Sequence, residues 1–411
     1  LGDITGKMRK AFRDAEGGLF GTVEKADVGD QVIVLMKQGY TLMSWADAFF
    51  PDSATPTHVS RATADSILEG RGAHYTAPIG SGSLKAKIAM KLKRVNQLDV
   101  DPQRNILITP GSDAGLFFAM ISFVQDGDDV MIPDPSYPNN AQNTHILGGN
   151  VIDVPLDPTK GWALDVQAFD ERVTPATKMV VLTNPNNPTA NVFRREALEK
   201  LADFIIRHDL VLVVDQAFED IIFDDIEMVS IASLPGMWER TISVFSFSKG
   251  MGLSGYRVGY LVTNDVIMDK LYGTAVSVIG ATNTAAQAGA EAALDDHSFL
   301  KEYRRIQEYR RDFCYKALHD IPGVNMYKSE SGILSWLDVS ALGTDSDVVK
   351  YLRDHAKVLV NGGSVYGPSG QGHIRVVHGV LSSDEEFENA VCRMRKALLD
   401  LSKNRKGEAS C

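Results

Sequence analysis

Residues 243–260 read Ser243-Val244-Phe245-Ser246-Phe247-Ser248-Lys249-Gly250-Met251-Gly252-Leu253-Ser254-Gly255-Tyr256-Arg257-Val258-Gly259-Tyr260. Together with Ile242, the residues Val244, Phe245 and Phe247 form a short apolar run with interleaved hydroxyls, the pattern of a strand entering a core. The chain then breaks into glycine-rich backbone that carries a lysine, several serines and an arginine. A lysine at the mouth of a buried strand loses hydration, which lowers its pKa and frees the amine as a nucleophile toward a carbonyl. Arg257 adds a planar fork of donors that suits a phosphate. A lysine for an aldehyde and an arginine for a phosphate point to pyridoxal phosphate. The plainer alternative is a surface Lys-Gly turn beside a structural arginine.

Working outward, residues 58–295 alternate between helical periodicity and short apolar runs. Residues 105–109, 129–132, 178–182 and 210–214 are continuous rather than alternating in hydrophobicity, as a sheet covered on both faces requires. Helical patterns at residues 83–95 (with Leu84, Ile88 and Leu92 on one face), 114–124 and 195–207 separate them. This predicts a mostly parallel α/β sheet with right-handed crossovers, whose ligands sit beyond the carboxyl ends of the strands. After a long helix at residues 297–318, short strands at 332–339, 358–361 and 373–378 and a closing helix at 383–401 predict a smaller α+β lobe. Before residue 58 the reading is a helix at 3–16, a strand at 31–36 and a turn-rich link at 49–56 with exposed Phe49 and Phe50. The expected division is therefore an arm that joins the small domain (1–57), a large domain (58–295) and a C-terminal small domain (296–411).

With 411 residues, 44% of them hydrophobic and 23% charged, the chain has the composition of a globular protein with a large core. A net charge of -11 argues against a nucleic-acid-binding surface. Cys314, Cys392 and Cys411 are widely spaced, which suits neither a disulfide framework nor a metal site and fits a reducing compartment. No apolar run approaches a membrane span and none begins the chain as a signal peptide would, so the expected location is cytoplasmic.

Unusual polar motifs fall at the predicted strand ends. Gly111-Ser112-Asp113 lies between a strand and a helix start, where backbone N–H groups and the helix dipole favour an anion; a plain helix cap is the alternative. Tyr137, in Asp134-Pro135-Ser136-Tyr137-Pro138, is placed to lie on a heteroaromatic ring or to be an ordinary loop aromatic. In Asn184-Pro185-Asn186-Asn187-Pro188-Thr189 the prolines stiffen a turn from which Asn187 can offer its amide to a phenolate-type oxygen. Asp215 ends an apolar strand, a costly position for a carboxylate unless it meets a cation such as a protonated pyridine nitrogen.

The ordered set Gly111-Ser112-Asp113, Tyr137, Asn187-Pro188-Thr189, Asp215, Ser246-x-Ser248-Lys249, Arg257 and Arg375 resembles the class I/II aminotransferases of pyridoxal phosphate fold type I. The likeness runs from about Tyr75 to Arg375. It implies a large domain with a mostly parallel, seven-stranded type of sheet between helices and a smaller α+β domain. It also implies that Lys249 holds the cofactor as a Schiff base and then shuttles the Cα proton. Asp215 would pair with the ring nitrogen, Asn187 with the ring oxygen, and Tyr137 would stack on the ring. Ser112, Asp113, Ser246, Ser248 and Arg257 would hold or line the phosphate, while Arg375, with Asn187, binds the substrate carboxylate. Tyr75 resembles the tyrosine that reaches the phosphate of a neighbouring subunit, which implies a homodimer with composite sites. The implied reaction moves an amino group from an α-amino acid to a 2-oxo acid by a ping-pong path through pyridoxamine phosphate. A lyase, decarboxylase, cyclase or oxidase on the same scaffold is the alternative. The effector-sensing domain of a transcription regulator is a third reading, and it needs a winged helix-turn-helix ahead of Tyr75.

Several positions depart from the resemblance. Ala190 stands where a glycine usually follows Asn-Pro-Thr, and Asp47, Phe49 and Phe50 stand where a glycine segment usually closes over substrate. Asp113 occupies the place of a lysine found in some aspartate-specific relatives, and no arginine occurs between Lys270 and Gln287; both weigh against a dedicated aspartate enzyme. The Gly-Ser-Asp loop and the lysine run lean toward the histidinol-phosphate aminotransferase branch. His74 and His378 read as structural, and Gly367-Pro368-Ser369-Gly370-Gln371-Gly372 as a flexible connection.

Phe218 replaces the tyrosine that usually donates to the ring oxygen. Without that donor the ring phenolate is less stabilised, so the Schiff base should be more basic than in tyrosine-bearing relatives. A pH titration of the cofactor absorbance tests this, and an equal or lower pKa would sink it.

Overall fold

The computed structural model describes residues 7–13, 28–77 and 79–408. Of the helix expected at residues 3–16, Lys10–Arg13 is helical and most of the rest lies outside the described residues, as does Cys411. Residues 31–36 are not a strand: Val28–Lys37 is one helix. A short β-branched run does not separate strand from helix by itself, and Gly39 supplies the stop. With φ at 84°, Gly39 takes the left-handed conformation in which Gln38 N–H reaches Val34 O (3.1 Å) and Tyr40 N–H reaches Leu35 O (3.1 Å).

The strands, in chain order, are β1 Thr41–Leu42, β2 Ile106–Thr109, β3 Asp129–Asp134, β4 Asn150–Pro155, β5 Thr177–Thr183, β6 Val211–Asp215, β7 Thr241–Ser246, β8 Gly259–Val262, β9 Asn325–Met326, β10 Leu334–Asp338, β11 Val358–Leu359, β12 Asn361–Gly362 and β13 His373–Val377. Seven of them form one sheet in the order β2-β8-β7-β6-β5-β3-β4. All its pairings are parallel except those of β8, which runs against both β2 and β7. Both faces are covered. Met131, Val180, Leu182, Leu212 and Val214 enter one apolar cluster, while their chain neighbours Val130, Met179, Val181 and Val213 enter another. That two-sided burial explains the continuous apolar runs in the sequence. The edge strand β4 is partly exposed and carries Asn150 and Asp153, so it has no such run.

This topology gathers one edge of polar chain ends. Thr109, Asp134, Thr183, Asp215 and Ser246 close β2, β3, β5, β6 and β7 at the same carboxyl edge. Because β8 is reversed, its first residue Gly259 lies opposite both Thr109 and Ser246, and so Arg257 reaches that edge too. Gly259 has no alternative there, since a Cβ would come within 2.7 Å of Gly111 C and Ser112 N.

The C-terminal part builds an antiparallel sheet, β12-β13-β10-β9, packed on the helices Phe299–Leu318 and Asp384–Glu408. The arm joins it: β1 pairs in parallel with β11, and Met43 N–H donates to Leu359 O (2.8 Å). Phe49, expected to be exposed, is only 3% exposed and lies 4.8 Å from the Tyr303 ring; Phe50 is half-buried. Packing of Phe49 against the long helix, and of Phe50 on Trp45, offsets the cost of ordering the arm. Residues 367–372 are likewise no loose connection, because Ser369 N–H donates to Asp134 Oδ2 (2.8 Å) and Gly370 is buried on Gly363.

Beneath the carboxyl edge lies a buried ion cluster. Lys91, at the end of the helix Gly82–Lys91, contacts Glu219 (2.7 Å) and Asp220 (2.9 Å), and Asn96 donates to Glu219 (2.6 Å). Burial opposes the lysine charge, and the two carboxylates outweigh it, holding the ammonium well above its ordinary pKa. Lys91→Met would strand both carboxylates and is expected to destabilise the protein by about 3–5 kcal/mol, seen as a lower urea midpoint. The triple variant with Glu219→Gln and Asp220→Asn should recover most of that loss. An unchanged midpoint in the single variant would overturn the assignment.

Candidate active site

A cavity of about 240 Å³ opens at the carboxyl edge between the large sheet and the small one. Its floor begins at the turn after β2. Gly111, with φ at 83°, leads into the helix Ser112–Ile121, whose first N–H groups face the opening unpaired within the helix. A Cβ on Gly111 would stand 2.3 Å from Arg257 Nη2, so only glycine admits the guanidinium here. Arg257 donates to Ser254 O (2.9 Å), and its Nη2 is 3.9 Å from Asp113 Oδ2. Ser248 lines the same cavity. Ser246 does not: its hydroxyl accepts from Ser248 N–H (3.1 Å) and shapes the turn. Helix start, serine and arginine form a cradle for a dianion.

Lys249 follows directly and reaches across the cavity, donating from Nζ to Ala46 O on the arm. Burial lowers its pKa, against the opposing charges of Asp113 and Asp47. Asp215 lies deeper, 4% exposed, accepting from Ala217 N–H (3.0 Å) at Oδ1. Burial pushes its pKa up to about 7, which is the signature of a carboxylate awaiting a cation. Tyr137 forms the opposite wall, its hydroxyl donating to Asp113 Oδ1 (2.9 Å). Burial and then Asp113 raise the phenol pKa, so it stays a neutral donor.

Arg375 comes from β13, where it pairs in register with Asn361 of β12. Its Nη1 donates to Asn187 Oδ1 (3.1 Å) and its Nη2 to Asn361 Oδ1 (2.9 Å) and Ser44 O (2.7 Å). Its Nε is buried with no partner among the described residues, and the guanidinium lies 5.1 Å from the Tyr366 ring centre. With its oxygen engaged by Arg375, the Asn187 amide keeps its N–H groups for the cavity. An arginine with an unused donor at the wall of a cavity is equipped to bind a carboxylate.

Of the residues singled out from the sequence, Ser112, Asp113, Tyr137, Asn187, Asp215, Phe218, Ser248, Lys249, Arg257 and Arg375 line this cavity. Gly111 supports it from behind, and Ser246 sits beneath it. Tyr75 is 94% exposed and stands apart from this cavity. Phe218 packs so closely on Gly332 that a Cβ there would lie 2.9 Å from its ring. His378 is fully buried beside Ser335 Oγ (3.0 Å), its pKa driven to about 3 by burial and the nearby arginines, a packed histidine outside the cavity. His74 meets Thr284 only through its carbonyl in the bonds it forms.

Sequence reasoning noted Asp47 in the arm but left the arm's contacts with the site open. Ser44, Trp45, Ala46 and Asp47 all line the cavity, and Ser44 and Ala46 act through main-chain carbonyls, which leave no mark on residue type. Asn361 was missed, although its register opposite Arg375 makes it the natural partner. Among the described residues no cluster of His, Cys, Asp or Glu is arranged for a metal, and no helix is long and apolar enough to cross a membrane. The residues present fit a group with a phosphate, an aldehyde and a protonatable ring nitrogen.

A family model described as aminotransferase class I and II matches residues 43–394. Aromatic-amino-acid aminotransferase 2 of Thermococcus litoralis is 32% identical over 352 residues, covering 85% of this chain and 90% of that protein. An aspartate aminotransferase of Pyrococcus abyssi is also 32% identical over 352 residues, with the same shares of each chain. The crystal structure of an aromatic aminotransferase from Pyrococcus horikoshii aligns with a TM-score of 0.83 at 28% identity, covering 91% of this chain and 99% of that one.

Asp215 makes stability depend on pH in the ligand-free protein. The unfolded chain releases this proton near pH 4 and the folded chain near pH 7. Between those values the folded state binds more protons, so stability falls as pH rises through that window, by roughly 4 kcal/mol from this group at most. Asp215→Asn should remove this component and raise the urea midpoint at pH 8 relative to wild type. An identical pH dependence in the two proteins would refute it.

Proposed function

The chain belongs to the class I and II aminotransferases, enzymes that transfer amino groups, and has their fold type I α/β architecture; from that premise we propose that it uses pyridoxal phosphate to move the amino group of an α-amino acid to a 2-oxo acid in two ping-pong half-reactions. The observation that carries the proposal is the convergence of Lys249, Asp215, the Gly111–Ser112 turn with Arg257, and Arg375 around one cavity.

Bound there, pyridoxal phosphate supplies a carbonyl that takes up the amino group and an electron-poor ring that stabilises charge on the neighbouring carbon. The first N–H groups of the helix at Ser112 and Asp113, with Ser248 and Arg257, hold its phosphate; Ser246 keeps Ser248 in place. Asp215 would pair with the ring nitrogen, and its raised proton affinity would favour a protonated ring. Asn187 offers its amide to the ring oxygen, and Phe218 offers no donor, only apolar contact. Tyr137 covers the ring face.

Arg375 takes the substrate carboxylate, using donors that otherwise go to Asn187, Asn361 and Ser44. The arm supplies one wall of the cavity through Ser44, Trp45, Ala46 and Asp47. Lys249, whose amine is biased toward the neutral form by burial, would take the proton from the substrate Cα and hold it at Nζ for return to the reacting group. Ala46 O holds Nζ over that position. The exposure of Tyr75 supports a place for it in the site of a second copy, hence a homodimer with shared sites.

The test follows a ¹⁵N-labelled amino acid with loaded enzyme. The expected result is release of its 2-oxo acid before any acceptor is added, then transfer of label to an added 2-oxo acid. Lys249→Ala should slow transfer by about 10²–10⁴-fold while the protein still binds the cofactor without a covalent link. Release of labelled ammonia in step with the oxo acid would overturn the proposal in favour of a lyase or oxidase.

A further inference from the structure

The cavity is lined by three cations, Lys249, Arg257 and Arg375, and three carboxylates, Asp47, Asp113 and Asp215. On the proposed function, which this inference rests on, every cation is committed, Lys249 to the carbonyl, Arg257 to the phosphate and Arg375 to the substrate carboxylate. Asp215 is taken by the ring nitrogen. Asp113 is held by Tyr137 Oη (2.9 Å) and Asn139 Nδ2 (3.1 Å), with Arg257 at 3.9 Å. Asp47 is left. Its half-buried carboxylate accepts no hydrogen bond and forms no ion pair among the described residues, although its charge acts on Lys249.

Asp47 is not a loose surface charge. The arm is anchored on either side of it, by Val377 N–H to Met43 O (2.8 Å) and by Phe49 N–H to Gly379 O (2.7 Å), and Phe49 is buried. Between those anchors Ser44 O receives Arg375, and Ala46 O receives Lys249. The arm therefore runs from the carboxylate clamp to the reacting centre, and Asp47 stands one residue beyond, about 3.8 Å further along the chain from Cα to Cα. A substrate held by Arg375 with its Cα at Lys249 sends its side chain into the remaining space, where it meets Asp47 and, across the cavity, Asp113. Among the described residues of this chain, no uncommitted cation lines that space to receive a second carboxylate.

We propose that the amino donor carries a cationic side chain, an ammonium or guanidinium, and that Asp47 is the residue that selects it. A charged hydrogen bond to Asp47 favours such a side chain over a neutral one of equal length by about tenfold to a hundredfold. A second carboxylate is repelled by the same residue.

Binding can be separated from chemistry with ligands that lack an α-amino group. Calorimetric titration of the enzyme loaded with pyridoxal phosphate would compare 5-guanidinopentanoate, hexanoate and adipate. The expected order of affinity is guanidinopentanoate, then hexanoate, then adipate, with about tenfold or more between the first two. Asp47→Asn should close that gap by weakening guanidinopentanoate and leaving hexanoate alone, and Asp47→Lys should move preference toward adipate. Adipate binding most tightly to wild type, or a gap that survives in Asp47→Asn, would overturn the inference while leaving amino transfer itself intact. Hexanoate binding that is unchanged in Arg375→Ala would bring down the assignment of the carboxylate clamp, and the inference with it.

Discussion

Asp215 ends β6 at the middle of the seven-stranded sheet, where strands on both sides and apolar clusters on both faces keep water away. A carboxylate in that place has two stable states, protonated or paired with a cation, and burial alone drives it toward the first. The rest of the cavity is arranged around that constraint. The next strand in the sheet, β7, leads to Lys249, whose ammonium suffers the mirror-image penalty and shifts toward the neutral amine. Asp215 at the end of β6 and Lys249 in the turn after β7, each displaced from its ordinary charge by the same dry surroundings, give an acid-base pair without any unusual chemistry in either residue.

Close to this pair in the chain lie Glu219 and Asp220, whose ion cluster with Lys91 anchors the segment that follows Asp215. Glu219 and Asp220 belong to the segment that leaves Asp215 and carries Phe218. Asp220 also packs on the turn after Lys249, close enough that a Cβ at Gly250 would lie 2.3 Å from its own Cβ. A buried ion pair contributes little net stability, but it penalises any arrangement that separates its partners. Here that penalty ties the loop after β6 to the end of the helix Gly82–Lys91, and the packing of Asp220 on Gly250 sets the loop after β7 against it.

The large sheet was legible in the sequence because two-sided burial writes itself as unbroken apolar strands: residues 178–182 and 210–214 both fall on strands of the structure, the second beginning one residue early. Where burial is one-sided or the strand is short, the signal fades. The edge strand β4 carries polar residues, and β8 is hidden behind the glycines that let its start approach Gly111. The run at residues 31–36 misled because β-branched residues in a helix that is half exposed resemble a strand until Gly39 is recognised as its cap. In the cavity, side chains with distinctive chemistry were readable, among them Lys249, Asp215, Asn187 and Arg375. What the arm gives through the carbonyls of Ser44 and Ala46 was not, since any residue type has a carbonyl.

The arm also shows why the small sheet matters to a cavity built on the large one. Arg375 lies on β13 and Asn187 in the turn after β5, so the hydrogen bond between them crosses from one sheet to the other. Ser44 O joins the same guanidinium, and Met43 ties its own end to β11 and β13 through Leu359 and Val377. Any motion of the small sheet relative to the large one therefore moves the arginine, the arm and Asp47 as one unit. A ligand carboxylate that displaces Asn187 and Ser44 from Arg375 would loosen the bonds that hold the arm in place. A cation at Asp47 would restore a tie from the arm to the ligand itself. A substrate with both groups would replace that one tie with one of its own, whereas a ligand with the carboxylate alone would leave the arm on its remaining anchors, Met43 to Val377 and Phe49 to Gly379.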